Sequence, residues 1–378
     1  MKLSQKTILP QGFKAFGVSA GIKKSGKPDL ALFFSDTPAK AACLFTSNKI
    51  QAAPLRVSKD HLKKSKSFQA IIANSGNANC FTGKIGVRDA KATAAALAKE
   101  LGIKTESILV SSTGIIGKRL QVDKIKSALP LLVKGLSRAG IAQAKKAIMT
   151  TDTFPKAITV KSNIGGKTVV ITGVAKGVGM IAPNLATMLV FIFTDAKISQ
   201  GALKSSLKQA AEKTFNCISV DGCMSTNDTV AILANGKAGN SLINTGKNLS
   251  IFIRSVEAVC LELAKLLVKD GEGAEKFIQI KVSGAKNFSQ AKIAALAVAN
   301  SNLFKTAVYG ENPNFGRIVA AVGASGIDVE EKNLKVHLSS LKKKDIFVDI
   351  VLHQGNSSAT VYTCDLTPEY IRINAEYN

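Results

Sequence analysis

The chain has 378 residues, 46% of them hydrophobic and none tryptophan, enough aliphatic material for two lobes or one large α/β unit. Lysine and arginine number 51 against 26 aspartate and glutamate, a formal charge of +25, yet only seven are arginines. Specific base reading favours arginine forks and aromatic platforms, and neither is enriched, so nucleic-acid binding as the main role is set aside.

Taken in chain order, Ser67–Ile72 reads as a strand. Ala94, Leu97, Ala98 and Leu101 recur at helical spacing within 89–101, and Gly102 can stop that helix. Ile108-Leu109-Val110 is a strand that runs into the small-residue stretch Ser111–Gly117. Thr168–Thr172 and Thr187–Thr194 are strand candidates. Leu203, Leu207, Ala210 and Ala211 mark a helix. Val256, Val259, Cys260, Leu263 and Leu267 mark another, which ends at Asp270-Gly271. Phe277–Val282 and Ile346–Leu352 close the pattern as strands. The alternation predicts an α/β or α+β fold, with central sheets and outer helices. No convincing G-x-G-x-x-G stands at a strand–helix junction, so a dinucleotide fold is unsupported.

Six cysteines at 43, 80, 217, 223, 260 and 364 form no C-x-x-C pair, and three dispersed histidines join none of them. No metal site is expected, and the thiols read as small packed hydrophobes. The apolar run near Thr187 is about half of the ~20 residues a membrane span needs. Met1–Lys6 lacks a signal-peptide core, so a cytoplasmic protein with no membrane partner is the expectation.

The most informative stretch is Gly173–Asp195, GVAKGVGMIAPNLATMLVFIFTD. A glycine-rich loop with one lysine, Lys176, leads through Pro183-Asn184 to Ala186-Thr187, and a β-rich apolar run follows. A hydroxyl at the mouth of a buried strand, beside flexible backbone, is where a self-cleaving precursor would carry its scissile bond. Cutting Ala186-Thr187 would give Thr187 a free α-amine, titrating near ~8, to serve as the base a threonine nucleophile lacks. On local sequence alone, Thr187 reads first as a buried β-branched strand residue.

The surrounding motif decides otherwise. Lys176, Gly177, Gly179, Met180, Pro183, Ala186, Thr187, Met188 and Leu189 match K-G-x-G-M-x-x-P-x-x-A-T-M-L. That pattern resembles the self-processing site of the ornithine acetyltransferases (glutamate N-acetyltransferases) of arginine biosynthesis. The resemblance covers nearly the whole chain, from Gly12-Phe13 through Ala52-Ala53-Pro54 to Ile373-Asn374. It implies a layered αββα core like that of N-terminal-nucleophile hydrolases, of distinct topology, with a smaller C-terminal lobe. It implies cleavage into 1–186 and 187–378, two halves whose strands share sheets and whose products form a heterotetramer.

The same resemblance assigns roles. Thr187 is the nucleophile, first on the Ala186 carbonyl and then on substrate, giving ping-pong acetyl transfer from N-acetylornithine to glutamate. Thr113-Gly114 corresponds to the family's oxyanion hole, although the residues alone fit a strand-to-helix turn. Lys176 contacts substrate. Met149–Thr153 matches M-T-T-D-T, with Thr150 as the substrate contact and Thr151 as its alternative. Glu272, between Gly271 and Gly273, and Asn374 bind the amino acid, a carboxylate suiting its amino group. The family's final Ser or Thr is missing, and Asn378 stands nearest to it. Phe315 and Cys223 replace a common Trp and a common acidic residue. No metal or organic cofactor is implied; acetyl-CoA stays open as a second acetyl donor. A self-processed aminopeptidase of similar fold is the alternative.

Overall fold

The computed structural model of the chain describes residues 1–4, 6–182 and 188–376. In chain order its strands and longer helices are β1 Lys2–Ser4, β2 Phe13–Val18, β3 Leu30–Phe45, α1 Ala53–Lys64, β4 Phe68–Asn77, α2 Gly83–Leu101, β5 Ile108–Ile115, α3 Val122–Lys134, α4 Ile141–Ala147, β6 Lys156–Ile164, β7 Lys167–Lys176, β8 Leu189–Thr194, α5 Gln200–Lys213, β9 Thr229–Ala234 and α6 Gly246–Lys269. They continue as β10 Phe277–Ala285, α7 Phe288–Ala299, α8 Asn302–Tyr309, α9 Gly316–Gly323, β11 Lys335–Leu338, β12 Asp345–Val351, β13 Ser357–Cys364 and α10 Pro368–Ala375. The chain divides into two compact units: Met1–Gly177, Thr187–Ala211 and Ser225–Leu263, and Val178–Ala186, Glu212–Met224 and Ala264–Asn378.

In the larger unit, one sheet runs β1-β6-β7-β8-β9-β3-β4-β5, with β2 beside β3. The first half of β3 pairs with β4 and its second half, Lys40–Phe45, pairs with β9, with a register shift between Phe34 and Ala39. Pro38 lies in that break, where a missing N–H is tolerated. β3 thereby joins two wings, whose inner faces meet. Phe33 packs its ring against Phe191 and Phe193, with centroids 5.3 and 5.2 Å apart. Alternation along the strands then assigns the outer faces. Ala31 and Phe33 point into the inter-sheet core, while Leu30 and Leu32 pack with Ala94, Leu97, Ile125 and Leu129 of α2 and α3. On the other wing, Gly173 lies against Val259 and Leu263 of α6. The order of layers is helix, sheet, sheet, helix, the mixed α/β layering that the resemblance implied.

Three local expectations need correction. Gly173–Lys176 is the end of strand β7, not loop. An added Cβ on Gly173 would come within 2.6 Å of Leu263 Cδ1, so this glycine serves close helix–sheet approach, not flexibility. β5 runs on to Ile115, so Thr113-Gly114 lies within a strand, because β4 continues alongside it in parallel pairing. β8 starts at Leu189, with Met188 just before it and Thr187 outside the described residues. Lys176 pairs with Leu189, so β7 and β8 are adjacent antiparallel strands.

The smaller unit holds a sheet ordered β11-β12-β10-β13, packed against α7, α8 and α9. β12 alternates strictly, with Ile346, Val348 and Ile350 buried. α10 is capped by Thr367, whose hydroxyl accepts from Tyr370 N–H, with Pro368 in the first turn. Of the six cysteines, Cys80, Cys217, Cys260 and Cys364 are buried and Cys43 is partly so, but Cys223 is exposed and does not pack as a core thiol. Among the described residues, no helix is long and apolar enough to cross a membrane, and no cluster of metal-ligating side chains is present.

Candidate active site

The larger unit gathers Thr113, Lys176 and Thr150. Thr113 and Gly114 sit where β4 and β5 lose register. Gly114 has φ +134°, and a Cβ there would lie 2.4 Å from the Gly76 carbonyl carbon, so only glycine fits. Side-chain amides fix the surrounding backbone. Asn74 donates to Asn77 O at 2.8 Å and accepts from Ser112 Oγ at 2.6 Å; Asn227 donates to Ala78 O and Ser112 O at 2.7 and 2.8 Å.

Lys176, at the end of β7, is buried, and its Nζ donates to Thr113 Oγ1 at 3.2 Å. The next residue, Gly177, donates its N–H to Asp152 Oδ1 at 2.9 Å, and Thr150 N–H donates to Asp152 Oδ2 at 2.9 Å. Lys156 Nζ, fully buried, completes the carboxylate at 2.7 Å. Asp152 thus ties Thr150 to the strand end that carries Lys176. Burial alone would raise its pKa, but Lys176, Lys156 and the Gly177 N–H outweigh burial and bring it down to about 2. Lys23 holds the same loop from the other side, donating to Met149 O at 2.7 Å and Pro28 O at 2.9 Å. Burial, opposed by Asp29 and reinforced by Lys176, lowers its pKa to about 8.

Ala186 and Thr187 lie outside the described residues. Their neighbour Met188 is held at both ends: its N–H donates to Asp228 Oδ1 at 2.9 Å, and its carbonyl accepts from Thr229 N–H at 3.1 Å. Asp228 is fully buried. Burial pushes its pKa well above the usual 3.8, and the Met188 N–H, Lys176 and the hydroxyls of Thr46 and Ser225 oppose this only in part.

Glu272 and Asn374 belong to the smaller unit. Asn374 Nδ2 donates to Glu272 Oε2 at 2.9 Å. The turn that carries Glu272 packs directly on the start of α10: Thr367 Oγ1 donates to Gly273 O at 2.7 Å, and a Cβ on Gly273 would meet Tyr370 N at 2.5 Å. A glycine at φ +67° therefore brings two residues 102 positions apart into contact.

A model of the ArgJ family matches residues 14–342 and 337–378. Arginine biosynthesis bifunctional proteins ArgJ from Caldanaerobacter subterraneus subsp. tengcongensis and Geobacter sulfurreducens are each 44% identical, over 99% and 97% of this chain and 99% of their own. The chain belongs to the ArgJ family. A solved ornithine acetyltransferase from Mycobacterium tuberculosis, complexed with ornithine, is 38% identical over 49% of this chain and 99% of that one, with a TM-score of 0.46.

Sequence reasoning did not single out Asp152, Lys156, Lys23 or Asp228. The signal available was an acid inside the polar motifs M-T-T-D-T and S-T-N-D-T, in a chain where acids are half as common as bases. Lys23 and Lys156 carried no signal among so many lysines.

Proposed function

We propose that this ArgJ-family chain is an acetyltransferase of arginine biosynthesis that moves acetyl from N-acetylornithine to glutamate, giving ornithine and N-acetylglutamate. Thr187 Oγ attacks the Ala186 carbonyl; the amide becomes an ester, and water releases a fragment 1–186 and a fragment 187–378. The free α-amine of Thr187 then takes the hydroxyl proton as Oγ attacks the acetyl carbonyl. The proton passes to the departing ornithine amine. Glutamate's amine attacks the acetyl ester in the second half-reaction, so one acyl-enzyme serves both. Thr113 and Gly114 stabilise the oxyanion, roughly 3 kcal/mol for one donor. Lys176 and Thr150 contact substrate, and Glu272 and Asn374 hold the amino acid.

The observation that carries this reading is the Lys176–Thr113 hydrogen bond at 3.2 Å, between residues 63 apart, at the strand end that pairs with Leu189. Two residues assigned from separate motifs meet in a buried place, beside the strands that flank the junction. The same proposal includes acetyl-CoA as an alternative donor, no metal or organic cofactor, a heterotetramer of the two self-derived chains and a cytoplasmic setting.

Denaturing intact mass and N-terminal sequencing test the first step. Purified protein is expected as two fragments of near-equal size, the second beginning with Thr187, while Thr187→Ala stays as one chain. A single full-length species with full transfer of acetyl from N-acetylornithine to glutamate would sink the mechanism.

A further inference from the structure

The stretch Val178–Ile181, just upstream of the junction, is held by an unusual number of bonds within the smaller unit. Met180 has φ +54°, uncommon for a residue with a side chain. Its N–H donates to Asp221 Oδ2 at 2.5 Å, and Ile181 N–H donates to Oδ1 at 2.9 Å. Ile181 O accepts from Val220 N–H at 2.9 Å, and Val178 O accepts from Glu272 N–H at 2.9 Å. Between them, Gly179 passes so near Glu272 that a Cβ would come within 2.3 Å of its Oε2.

The same Asp221 carboxylate accepts from Tyr370 Oη at 3.2 Å. Tyr370 lies one helical turn before Asn374, which itself donates to Glu272. Burial and the neighbouring Asp221 raise the phenol's pKa, so it stays a donor. Beneath the loop, buried Lys305 donates to Val220 O at 2.7 Å. A carboxylate that only stapled its own turn would need the Cys223 N–H bond at 3.0 Å and nothing more. Here three further donors arrive from two distant segments, and both segments flank Glu272.

We infer that Asp221 is a positioning residue for the amino-acid site: it clamps the Met180–Ile181 backbone and the C-terminal helix on either side of Glu272, and it keeps Val178–Ile181 of the first fragment in place as a wall of that site after cleavage. The inference rests on the roles proposed above for Glu272 and Asn374 and on cleavage after Ala186.

Two variants test it. Asp221→Asn presents an N–H where an acceptor is needed, and Tyr370→Phe removes only the arm from α10. Each is followed by intact mass, by hydrogen exchange of the Met180 and Ile181 amides, and by KM and kcat for N-acetylornithine. Asp221→Asn should speed exchange of the two amides and raise KM, each by roughly tenfold or more, as expected when backbone donors lose their acceptor, with kcat within about threefold. Tyr370→Phe should raise KM by a smaller factor and leave the two amides protected. Unchanged exchange and KM in Asp221→Asn, or a fall in kcat alone, overturns the inference. If Asp221→Asn does not fold, Tyr370→Phe decides: a raised KM supports the clamp and an unchanged KM overturns it. A wild type that is uncut or does not transfer acetyl refutes the proposed function instead; amide exchange in the variants then still tells whether Asp221 holds the segment.

Discussion

Asp152→Asn removes the charge that organises the larger unit's polar centre. The carboxylate and the Lys156 side chain are both fully buried and 2.7 Å apart. Asp152 titrates at about 2 in the folded chain against 3.8 for the free group. Its folded pKa is depressed, so the stabilisation is present above the unfolded value and is lost as pH falls from about 4 through about 2. The difference corresponds to about 2 kcal/mol at neutral pH. Asn keeps an acceptor for one backbone N–H but removes the carboxylate that faces the buried Lys156 ammonium, and removing one partner of a buried pair costs roughly 3–5 kcal/mol. Urea unfolding of the single-chain Thr187→Ala background, with and without Asp152→Asn, should show a loss of about 2–5 kcal/mol at pH 7. The loss should shrink below about pH 3, where wild-type Asp152 also begins to protonate. The double change Asp152→Asn with Lys156→Met should recover part of it, because the ammonium that faced the carboxylate is then removed as well. A loss under about 0.5 kcal/mol at pH 7, the level of an ordinary surface change, would refute the argument that Asp152 anchors Thr150 and the Lys176 strand end.

Three further outcomes are expected. If the α-amine of Thr187 is the base, the chemical step should speed up with pH through an apparent pKa near or below ~8, read by single-turnover acetylation; a flat profile across neutral pH speaks against that base. Glu272→Gln and Asn374→Ala should leave Ala186-Thr187 cleavage intact by mass, yet cost on the order of 2–5 kcal/mol in kcat/KM for N-acetylornithine and glutamate; unchanged efficiency removes both assignments. Asp228 has a folded pKa raised above 3.8, so it opposes stability at every pH above the unfolded value. Asp228→Asn, which keeps an acceptor for Met188 N–H, should therefore raise the calorimetric midpoint of the Thr187→Ala chain at pH 7, with the gain vanishing below about pH 3; a lowered midpoint at pH 7 contradicts the burial argument.

Local order carried much of the fold. Val256, Val259, Cys260, Leu263 and Leu267 recur at helical spacing, and all five are buried on α6. The alternation of β12 marked its buried face equally well. The site was legible only in part. Motif order named Thr113, Lys176, Thr150, Glu272 and Asn374, but gave no role to Asp152 or Asp221. A carboxylate's work here is to collect N–H, O–H and ammonium donors, among them Gly177 N–H 25 residues from Asp152 and Tyr370 O–H 149 residues from Asp221, and that collection is invisible to local pattern.

By itself, the sequence determined several helices and strands, among them α2, α5, α6, β10 and β12, because side-chain periodicity needs only near neighbours. It also determined the family, because its motifs are contiguous in the chain. Tertiary structure alone decided that Gly173 is a contact surface for α6, that Thr113-Gly114 is strand instead of turn, and that Lys176 reaches Thr113. Each of these depends on what a distant segment brings within a few ångströms: backbone approach, parallel pairing and a hydrogen bond respectively. Burial has the same origin. Asp152 and Asp228 are both aspartates in short polar motifs, yet one is drawn down by buried lysines and the other pushed up by desolvation, since the dielectric and the charges around each are set only when the sheets close.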